Sequence, residues 1–101
     1  MKFVVDTHSH TLASGHAYNT IQEMAVAAKE HGMEVICLTE HAPQMPGSCG
    51  NFYFQNLRVL PRERWGIHTL FGVELNILNE QGEIDLPQVL LPKMDVVIAS
   101  V

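Results

Sequence analysis

The chain has 101 residues, 47% of them apolar, which suits one small globular domain or a piece of a larger one and not a disordered segment. Six Lys and Arg against eleven Asp and Glu give a formal charge of −5, which argues against a nucleic-acid surface and against an anionic membrane surface. Two cysteines are too few for a disulfide framework, no run nears the ~18 apolar residues of a membrane span, and no long apolar leader opens the chain, so the cytoplasm is the expected compartment.

In chain order, Phe3-Val4-Val5 is short, apolar and β-branched, and predicts a buried strand. A polar loop is expected from about Thr7 to Asn19. Thr20 and Glu23 then form a capping box, and Ile21, Met24, Ala25 and Ala28 fall on one face of the helix it starts. Gly32 stands where a left-handed residue ends such a helix. Val35-Ile36-Cys37-Leu38 predicts a second buried strand, closed by Thr39-Glu40-His41, with Cys37 as a small buried residue; Cys49, in a Gly-flanked loop, could be a ligand or a reactive thiol, and an ordinary free thiol is the expectation.

Strand, helix, strand is a βαβ unit and implies two parallel strands. From Ala42 to Gly66 the pattern lapses, with a short helix expected between Phe52 and Leu60. A third strand runs Thr69–Leu75. Gly82 suggests a small hairpin between Leu75–Leu78 and Ile84–Leu86. Asp95–Val101 reads as a fourth buried strand. Parallel sheets need cover on both faces, and one convincing crossover helix for four strands looks unfinished. The expectation is an α/β fold, the N-terminal part of a longer barrel.

The polar residues fall at the strand ends. His8 and His10 follow the first apolar run, His41 the second, and Glu74 ends the third. In a parallel sheet these C-terminal ends share one side, where barrel enzymes keep their active sites. Alternate residues of extended backbone point the same way, so His8 and His10 can reach one ion. Nitrogen and carboxylate donors suit zinc, and also manganese or iron. Asp6 can orient a ligand histidine from behind, and His16 is close enough to join His41 at a second position. His31, beside Gly32 at a helix C-terminus, reads as a dipole partner, and His68 falls at the wrong end of its strand.

These residues resemble the motifs of the PHP family, the polymerase and histidinol phosphatase superfamily. Asp6-Thr7-His8-Ser9-His10-Thr11 resembles its first motif, Thr39-Glu40-His41 its second, and Gly72-Val73-Glu74 its third. The similarity is closest to the small stand-alone bacterial phosphatases of the family and covers nearly the whole chain. It implies a distorted (β/α)7, TIM-like barrel binding up to three divalent metals, often zinc, of which residues 1–101 would form the N-terminal portion. By resemblance His8, His10 and Glu74 belong to a first metal, Glu74 bridges to a second, and His16 and His41 hold a third, with further ligands outside this chain. The second motif of the family usually carries aspartate where this chain has Glu40, a residue expected behind the ligands.

The resemblance implies hydrolysis of a phosphate monoester by metal-activated water, on a phosphorylated small-molecule substrate. Arg58 and Arg62 are candidates for phosphate contacts, since guanidinium binds phosphate bidentately. Tyr18 and Phe52-Tyr53-Phe54 are candidates for lining the substrate pocket, with core or lid packing the expected role for most of them. Two other readings compete: an amide-cleaving hydrolase of the H-x-H barrel type, and an inactive fragment that associates with itself through its uncovered strand edge.

Overall fold

A computed structural model describes residues 2–101. It contains five strands, β1 (Val5–Ser9), β2 (Val35–His41), β3 (Glu63–Arg64), β4 (Ile67–Asn76) and β5 (Val96–Ser100), and two α-helices, α1 (Ile21–Glu30) and α2 (Asn51–Gln55). Strands β1, β2, β4 and β5 lie side by side in that order, all parallel, and curl into a half-barrel, as expected for the N-terminal part of a TIM-like fold.

The central pair is the one whose sequence is most continuously apolar. Ile36 to Glu40 of β2 and Phe71 to Leu75 of β4 are buried without interruption, as strands covered on both faces must be. Their cover comes from Ala25 of α1, Phe54 of α2, Leu57, Leu86 and Leu90. Helix α1 begins at the expected capping box: the Thr20 hydroxyl accepts from Glu23 N–H, and the Glu23 carboxylate accepts from Thr20 N–H. It ends at Gly32, whose φ of 83° is the left-handed conformation expected there.

Three expectations need correction. The first strand is not Phe3–Val5 but Val5–Ser9, so the histidine motif is strand through Ser9 with His10 directly after it, and Phe3 is 75% exposed. The last strand is likewise not buried: β5 alternates between half-buried and exposed positions, with Val97 exposed. An apolar run predicts burial only where neighbours cover both faces, and among the described residues β1 and β5 each pair on one side only. The hairpin around Gly82 is reduced to a single bridge between Ile77 and Ile84, backed by a hydrogen bond from Leu78 N–H to the Glu83 carbonyl. The connecting segment carries α2 where a helix was expected, and β3, which was not, pairs antiparallel with the start of β4.

Candidate metal centre

The register of the sheet brings the candidate residues together. Strand β2 pairs with β4 so that His41 lies directly opposite Glu74. Strand β1 pairs with β2 at Asp6–Ile36 and again at Ser9–Leu38, with an irregularity between them. Three steps on β1 match two on β2, a bulge that leaves one residue without a ladder partner. Asp6 resolves this: its Oδ1 accepts from His8 N–H at 3.0 Å. Beyond the bulge His8 and His10 share a face, and Ser9 between them is buried on the other. Asp6 thus supports His8 from behind, through its backbone N–H.

The result is a convergence on one oxygen. Glu74 Oε1 lies 2.7 Å from His8 Nε2, 3.0 Å from His10 Nε2 and 3.6 Å from His41 Nδ1. Ser100, on β5, donates to the other carboxylate oxygen at 3.1 Å and so fixes which one faces the histidines. The His10 ring stacks on that of His41, centroids 4.3 Å apart and 10° from parallel, and packs edge-on to His8 at 5.1 Å.

Charge follows from this packing. Burial lowers the pKa of His10, and the neighbouring His41 lowers it further against the pull of Glu74 and Glu40, so the neutral ring is favoured. Burial alone would push the Glu74 carboxyl up. The hydrogen bonds from His8 and Ser100 and the charges of His41 and His8 outweigh it, and Glu74 is held below its ordinary value as a carboxylate. Within the cluster the atom left over is His41 Nδ1, buried and without a hydrogen-bond partner. Imidazole nitrogens gathered around a carboxylate, one of them orphaned, suit a divalent cation as a donor set. His8, His10 and Glu74 offer ligand atoms all within 4.8 Å of one another.

The other candidates divide. His16 is exposed, its Nε2 2.7 Å from the Pro46 carbonyl and its ring 5.3 Å from that of His41, so it borders the cluster from the loop side without touching Glu74. Glu40 is 1% exposed and accepts from four donors: Thr11 N–H at 2.8 Å, the Thr11 hydroxyl, the Ser14 hydroxyl at 2.8 Å and the Tyr53 hydroxyl at 3.3 Å. The longer side chain at this motif position is therefore fully used. Tyr53 has a structural role rather than a pocket-lining one: burial, then the charge of Glu40, raises its pKa, and the phenol stays protonated as a donor.

Arg62 does not face the cluster. It makes a bidentate pair with Asp95, Nε at 2.9 Å and Nη2 at 3.2 Å, where Asp95 also accepts from Phe71 N–H ahead of β5. This is the N-terminal end of the last strand, opposite the histidines, and the guanidinium is already occupied there. Arg58 is exposed in the turn after α2. His31 bonds back to the Ala27 carbonyl and His68 pairs with Glu63 at 3.0 Å, both away from the cluster as expected. Cys37 is buried, and burial raises the pKa of the half-buried Cys49, keeping it a thiol. Among the described residues, no helix is long and apolar enough to cross a membrane.

Parallel strands with imidazole and carboxylate donors gathered at their C-terminal ends define the class: an α/β barrel-type chain with a candidate metal centre at the strand ends. The PHP domain family model matches residues 6–101, and the chain belongs to that family. It is 53% identical over 100 residues to a probable phosphatase of Thermoanaerobacter sp. (strain X514), covering 99% of this chain and 41% of that protein. It is similarly 52% identical to a probable phosphatase of Photobacterium profundum, covering 99% and 41%. A probable phosphatase of Aliivibrio fischeri is 55% identical over 100 residues, covering 99% and 40%. The chain thus spans about two fifths of the length of these relatives.

Proposed function

We propose that these residues form one wall of a metal-dependent phosphoesterase site that hydrolyses phosphate monoesters, the chain being the N-terminal portion of that domain. The observation that carries this is the meeting of His8, His10 and His41 on Glu74 Oε1, with His41 Nδ1 buried and unpartnered. The names of the relatives support the phosphatase part. His8, His10 and Glu74 would hold a divalent ion, zinc by donor chemistry, or manganese or iron. His41 and, from the loop side, His16 would hold a further one. Bound there, such ions polarise a phosphoryl oxygen and lower the pKa of a bound water to near neutrality.

The chain's own contribution is to prepare the donors. The lowered pKa of His10 keeps its ring neutral near neutral pH, and Glu74 stays ionised. Ser100 turns one Glu74 oxygen toward the histidines, and Asp6 pins the His8 backbone at the bulge. Ring stacking limits rotation of His10 and His41. The substrate would be a phosphorylated small molecule, since a chain of net charge −5 offers no basic track for a polynucleotide.

Elemental analysis of the purified chain, with p-nitrophenyl phosphate hydrolysis before and after chelation, tests this. Zinc or manganese uptake that Glu74→Gln abolishes is expected, with slow hydrolysis from the 101 residues alone that chelation removes and metal restores. Hydrolysis indifferent to chelation, or metal uptake unchanged in Glu74→Gln, would overturn it.

A further inference from the structure

Behind the cluster one hydroxyl joins its parts. Ser14 is fully buried, and its Oγ meets three groups: it lies 2.8 Å from Glu40 Oε1, 2.9 Å from His41 N and 3.0 Å from His10 Nδ1. A hydroxyl has one proton to give and two lone pairs to receive with. The His41 N–H is a fixed donor and takes one lone pair. The choice left is whether the Ser14 proton goes to Glu40 or to His10.

Giving it to His10 would leave Ser14 Oγ and Glu40 Oε1 facing each other across 2.8 Å with no proton between two oxygens. Giving it to Glu40 makes a hydrogen bond to a carboxylate, roughly twice as strong as one between neutral groups. The remaining lone pair must then accept from His10, so the hydrogen of the neutral ring sits on Nδ1. Its Nε2 lies 3.0 Å from Glu74 Oε1 but makes no hydrogen bond with it, that oxygen being paired with His8 Nε2 at 2.7 Å, and is left as a lone pair.

We propose that Ser14 is a positioning residue, its proton committed by Glu40, that locks His10 in the Nδ1–H tautomer and turns the Nε2 lone pair into the histidine–carboxylate cluster. Free histidine in water favours the opposite tautomer, so the lock has a visible signature. The link from the lone pair to ion binding rests on the metal-centre reading above. The tautomer itself does not, because it is fixed by groups of the chain alone. The same hydroxyl accepts the His41 N–H, so one side chain sets His10 and the strand end that carries His41 together. This supporting role behind a ligand histidine belongs to groups whose loss weakens ion affinity about 10–100-fold.

Long-range proton–nitrogen NMR on the metal-free, histidine-labelled chain, at a pH well above the imidazole range, reads the tautomer directly. His10 is expected to show a protonated Nδ1 and an unprotonated Nε2. A protonated Nε2 in the wild-type chain would overturn the proposal without any variant. Ser14→Ala is expected to release His10 toward the Nε2–H form and, in competition with a chromophoric chelator, to weaken zinc binding about 10–100-fold. A folded Ser14→Ala chain that keeps the Nδ1–H form would also overturn it. Wild-type chain that takes up no zinc yet shows Nδ1–H would sink the metal-centre reading and leave the lock standing.

Discussion

Gly72 offers a sharp test of how β5 is held against the site. It sits in β4 opposite Val96, two residues before Glu74. A Cβ built on Gly72 would lie 1.9 Å from the Val96 carbonyl oxygen, 2.8 Å from its carbon and 3.1 Å from its nitrogen, all backbone atoms. Its φ is not in the left-handed region, so the constraint is close approach and not conformation. Ordinary contact begins at 3.4 Å, so Gly72→Ala requires β5 to retreat by about 1.5 Å or to detach locally. Overpacking of this kind costs about 1–3 kcal/mol. In a domain of this size each kcal/mol lowers Tm by about 4–8 °C.

Thermal unfolding followed by circular dichroism, with amide exchange over Val96–Ser100, measures the effect. Faster exchange in β5 should accompany the lower Tm, because the displaced backbone is β5's own. The Ser100 hydroxyl would withdraw from Glu74 with it, so the site should loosen as well. A Gly72→Ala chain whose Tm moves by less than about 2 °C, well under the smallest expected shift, with β5 exchange unchanged, would refute the close-approach account.

Asp85 carries a pH dependence. Burial would push its carboxyl up, but hydrogen bonds from the Asn76 side chain and backbone and from Gln44 N–H prevail and hold it below its ordinary value. A depressed carboxylate contributes stability above its unfolded value, about 4, and that contribution is lost as pH falls through the folded value. Asp85→Asn should therefore flatten the acid limb of a Tm-against-pH curve, and an acid limb identical to wild type would contradict this. Tyr53→Phe removes one of four donors to Glu40 while leaving Oε2 its bond from Thr11, so a loss of about 0.5–1.5 kcal/mol is expected in urea unfolding. A loss several times larger would mean that the phenol does more than donate to Glu40.

The sequence alone determined the α/β class, the capping box at Thr20, the helix stop at Gly32 and the four residues that meet at the site. Each of these rests on a local rule: periodicity, a turn glycine, alternation along a strand, or a polar residue at the end of an apolar run. His8, His10, His41 and Glu74 were legible because parallel strands carry their C-terminal ends to one side, whatever the details of packing. What connects those residues was not legible. Ser14, Ser100, Thr11 and Tyr53 are common hydroxyls whose carboxylate partners, Glu40 and Glu74, stand 13 to 29 residues away in the chain. No spacing rule joins them before the sheet has formed.

Tertiary structure also decided how far burial extended and what the arginines do. The apolar runs at Phe3–Val5 and Asp95–Val101 look like Val35–Leu38 in sequence, but only the central strands have neighbours on both sides. Arg62 reads as a phosphate ligand until Asp95, 33 residues on, is seen to occupy it. The bulge between Asp6 and Ser9 is a third such case: register is a property of two strands, and one strand's sequence does not contain it. Donor chemistry is written in the residues, but the single carboxylate oxygen on which the histidines converge exists only once β1, β2, β4 and β5 are side by side.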